Sequence, residues 1–275
     1  MSEYARAMNE HYGPVDISAR ILERLEQAGK DLARLSRDDF IAFDEFHGGG
    51  RDSTRELAQS AGLRPGMTLL DIGSGVGGPA RTLAAEFGCA VVGMDLTAEY
   101  CRAAEMLTER VGLADRIAFR CADALDMPFP DASFDVVWSQ NTLMNIGDKA
   151  RLFREIRRVL RPGGTFAFET VLAGPVPGAH LPVFWADSAL INHLAAPGEV
   201  RRMLAALGLV EKAWQDTTAR ALANQRNRRE TIRKNGLPLL GLSVIVPNDE
   251  LEKFDNVIRN NEESRTVTVQ AVYAG

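Results

Sequence analysis

Apolar and polar residues alternate along this chain with two periods. In DISARILERLEQAGKDLARL (residues 16–35), Ile17, Ile21, Leu22, Leu25 and Leu32 recur near the spacing of one helical face, which predicts a helix. DEFHGGGRDSTRELAQSAGL runs through three glycines into a second predicted helix, capped near Asp52 or Ser53. Short apolar runs then read as buried strands: TLLDIG, CAVVGMD, RIAFRCAD, SFDVVWSQ and TFAFETVL. Helical stretches separate them at residues 77–87, at 97–112 with Thr97 as N-cap, and at DKARLFREIRRVL, which RPGG stops. On the second of these, Tyr100, Ala103, Ala104, Leu107 and Val111 fall on one face.

Beyond residue 173 the rhythm changes. A segment rich in Pro, Gly and apolar residues runs to Pro197. A helix near 197–207, a strand near 209–214, two further helical stretches and a last strand, RTVTVQAVY, follow. Strand and helix alternate from 67 to 214, which predicts an α/β fold with a parallel sheet covered on both faces. In such sheets ligands bind outside the C-terminal ends of the strands, where the strand order reverses.

Composition narrows the function classes. The chain has 275 residues, 45% of them hydrophobic and 25% charged, with net charge -5. That fits one large domain with additions, and it argues against a nucleic-acid binder, which shows a basic face. The one basic stretch, NQRNRRETIRK, reads as a solvated helix face. Cys89, Cys101 and Cys121 are odd in number and lack CxxC spacing, as expected of reduced thiols in a cytoplasmic protein. No signal peptide and no stretch near the ~18 apolar residues of a spanning helix is visible. The histidines are not spaced as a metal site, so no metal is expected.

The most specific chemistry lies in LLDIGSGVGG, where Gly73, Gly75 and Gly78 form G-x-G-x-x-G between a strand and a helix. Alone, this loop fits a dinucleotide enzyme equally well. Three strand-end acids accompany it: Asp71, then Asp95, 22 residues after Gly73, then Asp123. A dinucleotide fold calls for the second of these and not for the whole run.

Four motifs in order, LLDIGSGVGG, VVGMDLT, CADALDMPFPDASFDVVWS and LRPGGTF, resemble the class I S-adenosylmethionine-dependent methyltransferases over residues 67–170. The resemblance implies a Rossmann-like, seven-stranded, mostly parallel sheet with helices on both faces, the last strand antiparallel, plus a helical cap. It implies a helical lid at 1–50, the cofactor-binding core at 51–170, an active-site insert at 171–200, a return to the core at 201–214, the cap at 215–262 and the final strand at 263–275. S-adenosylmethionine would be the cofactor and S-adenosylhomocysteine the product. Gly73, Ser74 and Gly75 would face the methionine part and Asp71 would orient the loop and the ammonium. Asp95 would accept from both ribose hydroxyls, Leu96 would cover the adenine, and Asp123, with Ala124 and Leu125, would receive its amino group. Gln140 would touch the methionine end. Ionised carboxylates are acceptor-only partners, which suits hydroxyl and amine donors.

DEFHGGG, WSQNTLMNIGD and the 171–200 insert resemble the small-molecule branch: sarcosine/dimethylglycine N-methyltransferases, sugar O-methyltransferases and tocopherol-type C-methyltransferases. In that branch a His usually stands where this chain has Asn145. An amide cannot take a proton, so Asn145 is expected to position the acceptor. Glu169, at the end of TFAFE, and His47, in FHGGG, are the remaining acid–base candidates. Tyr12, Asn141, Asn145, His180 and Trp185 are the candidate acceptor contacts, with His11 and His193 nearby in sequence. The missing His and the likeness of WSQN to WSQD in the betaine-forming enzymes lean the expectation toward a small amine. O- or C-methylation of a natural-product or quinone-type metabolite fits the same scaffold. An NAD-dependent oxidoreductase or a non-catalytic cofactor-binding protein are the readings from other classes. The sequence leaves the acceptor and the oligomeric state open.

Overall fold

A computed structural model of the chain describes residues 16–45, 47–245 and 250–275. Helix α1 (Ile17–Gln27) leads into α2 (Gly50–Ser60). Then come β1 (Thr68–Ile72), α3 (Gly78–Phe87), β2 (Ala90–Asp95), α4 (Ala98–Arg110), β3 (Ile117–Cys121) and β4 (Phe134–Gln140). A 3-10 turn (Leu143–Asn145) precedes α5 (Lys149–Val159), β5 (Leu160–Ala173), α6 (Pro197–Ala206) and β6 (Val210–Asp216). Helices α7 (Thr218–Asn235) and α8 (Glu250–Glu262) precede the last strand, β7 (Thr266–Ala274).

The seven strands lie in the order β3-β2-β1-β4-β5-β7-β6. Neighbours from β3 to β5 pair parallel, and β7 pairs antiparallel with both β5 and β6. The order reverses between β1 and β4, which puts the switch point at the ends of those two strands. Side chains alternate across the strands, so each face has its own core. Leu69, Val91, Val136, Ala167 and Val272 pack under α2 and α3. Leu70, Val137, Phe166, Phe168 and Tyr273 pack against Phe153 and Ile156 of α5 and Val200 and Leu204 of α6.

A third apolar cluster is separate from both faces. It joins Ile21 and Leu25 of α1, Phe40 and Phe43, Val183 and Ile191 of the insert, Ile232 of α7 and Phe254 of α8. The segments outside the alternating part of the chain therefore share a core, which Tyr100, Ala103 and Leu107 of α4 and Val171 of β5 complete. Its tie to the sheet layer includes the hydroxyl of Tyr100, on α4, which donates to the carbonyl of Ile245.

Helix boundaries depart from the sequence reading at two places. The first helix stops at Gln27, because Gly29 turns left-handed at φ 74° and the Lys30 N–H returns to the Leu25 carbonyl. Leu32 still packs against the third cluster from the turn that follows. The second helix starts at Gly50, ahead of the expected cap, because the Ser53 hydroxyl is taken by Glu169 across the fold. Thr97 does precede α4, yet its hydroxyl makes no cap bond; that helix starts without one. The basic stretch lies on α7, where Arg226 pairs with Glu262, Arg229 with Asp255 and Arg233 with Glu230, all solvent-facing. No helix among the described residues is long and apolar enough to cross a membrane.

Candidate active site

The glycine loop between β1 and α3 is held from below. Gly73 turns at φ 71°, and a Cβ there would fall 2.0 Å from the Thr142 hydroxyl, so no other residue permits this approach of the β1 and β4 ends. The Gly75 N–H donates to Asp95 Oδ2 at 2.9 Å, and the Thr97 N–H donates to Oδ1 at 2.9 Å. One carboxylate thus bridges the glycine loop and the start of α4. Burial raises its pKa, and these backbone bonds offset part of that rise. Asp123 Oδ1 accepts from the Leu125 N–H at 2.8 Å and fixes the turn after β3.

Together these segments enclose a cavity at the switch point, lined by residues 72–76, 94–97, 122–125 and 140–142, with His47 and Asn145 at one end. Gly73, Ser74, Gly75, Asp95, Leu96, Asp123, Ala124, Leu125 and Gln140 all line it. Asp71 does not. It sits behind the loop, 1% exposed, with its pKa pushed up to about 8 by burial and by the charges of Glu45 and Asp95.

A second cavity adjoins the first, walled by Met144, Val171, Phe184, Trp185, Leu242 and Val257, with residues of α7 and β7. Among the described residues, two line both cavities: His47 and Asn141. Asn141 is held in the left-handed region at φ 52°, its N–H donating to the Glu169 carbonyl at 2.8 Å. Such a conformation in a non-glycine residue is maintained only when its surroundings fix it.

His47 stands in a buried polar row. Gln140, Glu169 and Gln270 lie side by side on β4, β5 and β7, because the register pairs Gln140 with Glu169 and Glu169 with Gln270. Helix α2 lays Ser53 and Thr54 over this row. Glu169 Oε2 accepts from the Ser53 hydroxyl and, at 2.7 Å, from Gln270 Nε2. Gln140 Oε1 lies 3.0 Å from both Trp138 Nε1 and Thr54 Oγ1. His47 Nε2 is 2.9 Å from Glu45 Oε2, and Nδ1 is 3.6 Å from Glu169 Oε1. Glu45 also accepts from the hydroxyls of Thr54 at 2.6 Å and Thr82 at 2.8 Å.

The two partners shift in opposite directions. Burial disfavours a charged His47, but the bond to Glu45 and the charges of Glu169 and Glu45 outweigh it, and its pKa rises above the ordinary value. Burial likewise disfavours the Glu45 carboxylate, but the bond to His47, that residue's charge and the two threonine hydroxyls hold it below its ordinary value. Glu45 escaped the sequence reading, although it lies two residues before His47. Its signal was local, but its meaning depends on Thr54 and Thr82 arriving from two helices.

The other expected contacts are distributed differently. Asn145 lines the first cavity, and its amide donates to the carbonyls of Trp185 at 2.6 Å and Ile191 at 2.9 Å. It therefore fastens the insert to the loop after β4. Glu169 lines neither of the two cavities and acts on them through His47 and Asn141. Trp185 lines the second cavity, its Nε1 donating to Asn192 Oδ1 at 2.9 Å. His180 is not brought to either cavity: its ring is 2.8 Å from Glu263 Oε2, drawn to the carboxylate at the end of the chain's last helix. The His193 ring packs at Gly147, and burial and the Lys149 ammonium lower its pKa. Tyr12 and His11 lie outside the described residues.

Several buried polar atoms make no hydrogen bond among the described residues: Ser74 Oγ, Gln140 Nε2, Asn141 Oδ1 and His47 Nδ1 on the cavity walls, and Asp71 Oδ2 behind them. Buried polar groups are normally satisfied, so a cluster of orphans marks a place for a polar ligand. Interleaved donors and acceptors suit the charged amino-acid end of S-adenosylmethionine, and the Asp95 and Asp123 carboxylates suit its hydroxyl and amine donors.

Comparison with known proteins agrees with this geometry. A family model described as a methyltransferase domain matches residues 70–168. The sarcosine/dimethylglycine N-methyltransferase of Halorhodospira halochloris is 33% identical over 189 residues, 68% of this chain and 67% of that protein. The sterol 24-C-methyltransferase of Gibberella zeae is 41% identical over 110 residues, 40% of this chain and 29% of that protein. The chain spans under half the length of most of the curated relatives it matches. In fold, geranyl diphosphate C-methyltransferase from Streptomyces coelicolor superposes with a TM-score of 0.73 at 19% identity, covering 99% of this chain and 98% of that one. With the glycine loop, the strand-end acids and the seven-stranded sheet in place, the chain belongs to the class I S-adenosylmethionine-dependent methyltransferase family.

Proposed function

We propose that this protein transfers the methyl group of S-adenosylmethionine to a small-molecule acceptor. The observation that carries the reading is the meeting of two cavities at His47 and Asn141. One cavity has the glycine loop and two of the strand-end acids; the other is a mostly apolar space. In this reading Asp95 accepts from the ribose hydroxyls, Leu96 and Leu125 flank the adenine, and Asp123 accepts from its amine. Gln140 and Ser74 hold the carboxylate of the methionine part, and Asp71 acts through the loop. The cofactor supplies a methyl group already activated on a cationic sulfur, so the protein's task is alignment.

His47 takes the proton of an acceptor that must lose one. Glu45 fixes its Nε2 and leaves Nδ1, 3.6 Å from Glu169 Oε1, without a hydrogen bond among the described residues, the arrangement of a carboxylate-oriented base. Asn141 Oδ1 gives a donor on the acceptor a place to bind, and Trp185 walls it. Asn145 holds the insert in place and acts on the acceptor only by shaping its wall. The segments 171–200 and 215–262 supply that wall and the cover over it. In this reading the protein works in the cytoplasm on metabolites and not on nucleic acid; the lack of a disulfide-type cysteine pattern supports the first and the acidic net charge the second.

Thermal melting with S-adenosylhomocysteine and, separately, NADH tests the cofactor assignment. At about 100 times its dissociation constant, S-adenosylhomocysteine adds about 2.7 kcal/mol of stability, and NADH adds none. Asp95→Ala weakens that binding by about 3 kcal/mol, because two hydroxyl donors lose a charged acceptor. A melting temperature unmoved by S-adenosylhomocysteine refutes the reading.

A further inference from the structure

Glu169, set apart from the two cavities above, lines a third. This small space lies between α2 and α7, with Ser53, Thr217, Arg220, Asn224 and Thr268 among its polar walls. It has room for about one water molecule. Ser53, Glu169, Thr217 and Thr268 are buried at its inner end. Arg220 and Asn224 are partly exposed at its outer end, where Arg220 pairs with Glu56 on the surface. The cavity thus leads from a buried carboxylate toward solvent. Its inner end meets His47. Glu169 Oε2 accepts from the Ser53 hydroxyl and from Gln270 Nε2, which leaves Oε1 turned to His47 Nδ1 at 3.6 Å. Nδ1 makes no hydrogen bond among the described residues. With Nε2–H donating to Glu45, a neutral His47 has a lone pair at Nδ1, and the carboxylate oxygen facing it is also an acceptor. One proton placed between them satisfies both.

The reaction supplies such a proton, and each turnover must then release it. On Nδ1 it is held: burial and the Arg228 charge oppose a charged ring, but the bond to Glu45 and the charges of Glu169 and Glu45 outweigh both. During the reaction cofactor and acceptor fill the first and second cavities, and the third stays open to water. Resting on the methyltransferase reading above, with His47 as base, we propose that Glu169 carries the reaction's proton from His47 into the third cavity, which is its exit to solvent. The steps balance. The acceptor's proton moves to Nδ1, and the electron pair it leaves takes the methyl group, whose former bonding pair stays on sulfur. Nδ1 and Oε1 then close to hydrogen-bond distance, the Nδ1–H bond breaks and an Oε1–H bond forms. Oε1 passes the proton to water in the third cavity and returns to a carboxylate. Glu169 acts through His47 and touches neither cofactor nor acceptor.

The test gives the full chain saturating 13C-methyl S-adenosylmethionine and a pool of small metabolites, and reads the initial rate of the main labelled product by mass spectrometry from about pH 6 to 9. His47 works as a base only without its proton, so the rate rises with pH through its folded value. Glu169→Gln keeps the side chain's size and an oxygen for Ser53, and removes one of the charges that raise that value. The rise therefore moves to lower pH, and the plateau above it falls by about tenfold or more. Glu169→Ala makes room for a small base, and azide restores more of the rate than the weaker base formate. Thr217→Leu fills the third cavity, leaves Glu169 in place and also lowers the plateau. Uptake of S-adenosylhomocysteine, read by isothermal titration, identifies the folded variants; where Glu169→Ala does not fold, the other two carry the test. A Glu169→Gln profile that matches the parent's, equal restoration by azide and formate, or an unchanged rate in Thr217→Leu overturns the proposal while leaving the methyltransferase reading standing. A parent chain that labels no product overturns that reading, and this proposal with it.

Discussion

Asp71 and Asp95 stand at the ends of neighbouring strands, and they meet burial in different ways. Asp95 accepts two backbone N–H bonds, from Gly75 and Thr97. Asp71 has one oxygen with no partner among the described residues, and its pKa reaches about 8. The folded state therefore holds a proton on Asp71 that the unfolded chain releases near pH 4. More protons bound in the folded state mean that stability falls as pH rises between those values, by up to about 1.4 kcal/mol per unit for one such group. Asp71→Asn flattens that fall, measured as denaturant midpoints of the cofactor-free chain from pH 5 to 8. A slope as steep in the variant as in the parent contradicts the assignment. His47 and Glu45 act in opposite directions: the raised His47 contributes stability below its ordinary 6.5 and loses it as pH rises through its folded value, and the lowered Glu45 contributes above 4.5 and loses it as pH falls. At this scale the glycines and strand-end acids were legible, because each is marked by its place beside a strand. The His47 row was not. Glu45 and Thr54, Gln140, Glu169 and Gln270 come from four separate stretches, and only the sheet register and α2 bring them together.

Asn145 shows how an element can change a residue's meaning. Read along the chain, it replaces a base; in the fold, it is a strut between the 3-10 turn and the insert. Lys149 extends the same seam, its buried ammonium donating to the carbonyls of Ile146 and, at 2.7 Å, His193. The His193 N–H returns a bond to the Met144 carbonyl at 2.7 Å. Asn145→Leu leaves two buried carbonyls without their donor and costs about 2 kcal/mol of stability, read from denaturant unfolding. Limited proteolysis of the variant cuts first within 181–193. A variant as stable as the parent would mean that the insert is held by other contacts. The alternating strands and helices were legible because each buries a face with a clear period. The ends of α1 and α2 were not, since one is set by a backbone turn at Gly29 and the other by a hydroxyl claimed from a distant strand.

For the whole molecule, the division of labour follows the three cores. Two lie on the faces of the sheet and fix the first cavity at the switch point. The third, built from α1, the insert, α7 and α8, surrounds the second. Motifs carry the first cavity, so it was readable; the second is made of apolar residues whose partners are far apart in sequence, and pattern alone assigns them no role. The account joins the two cavities through one titrating group. The measurement that tests this directly is transfer of a 13C-methyl group from S-adenosylmethionine into a pool of small metabolites, followed by mass spectrometry, for the parent and for His47→Gln. The parent yields labelled low-molecular-weight product, and His47→Gln lowers its rate at saturating S-adenosylmethionine by about a hundredfold or more. A parent that labels nothing, or a variant that labels as fast as the parent, contradicts the account.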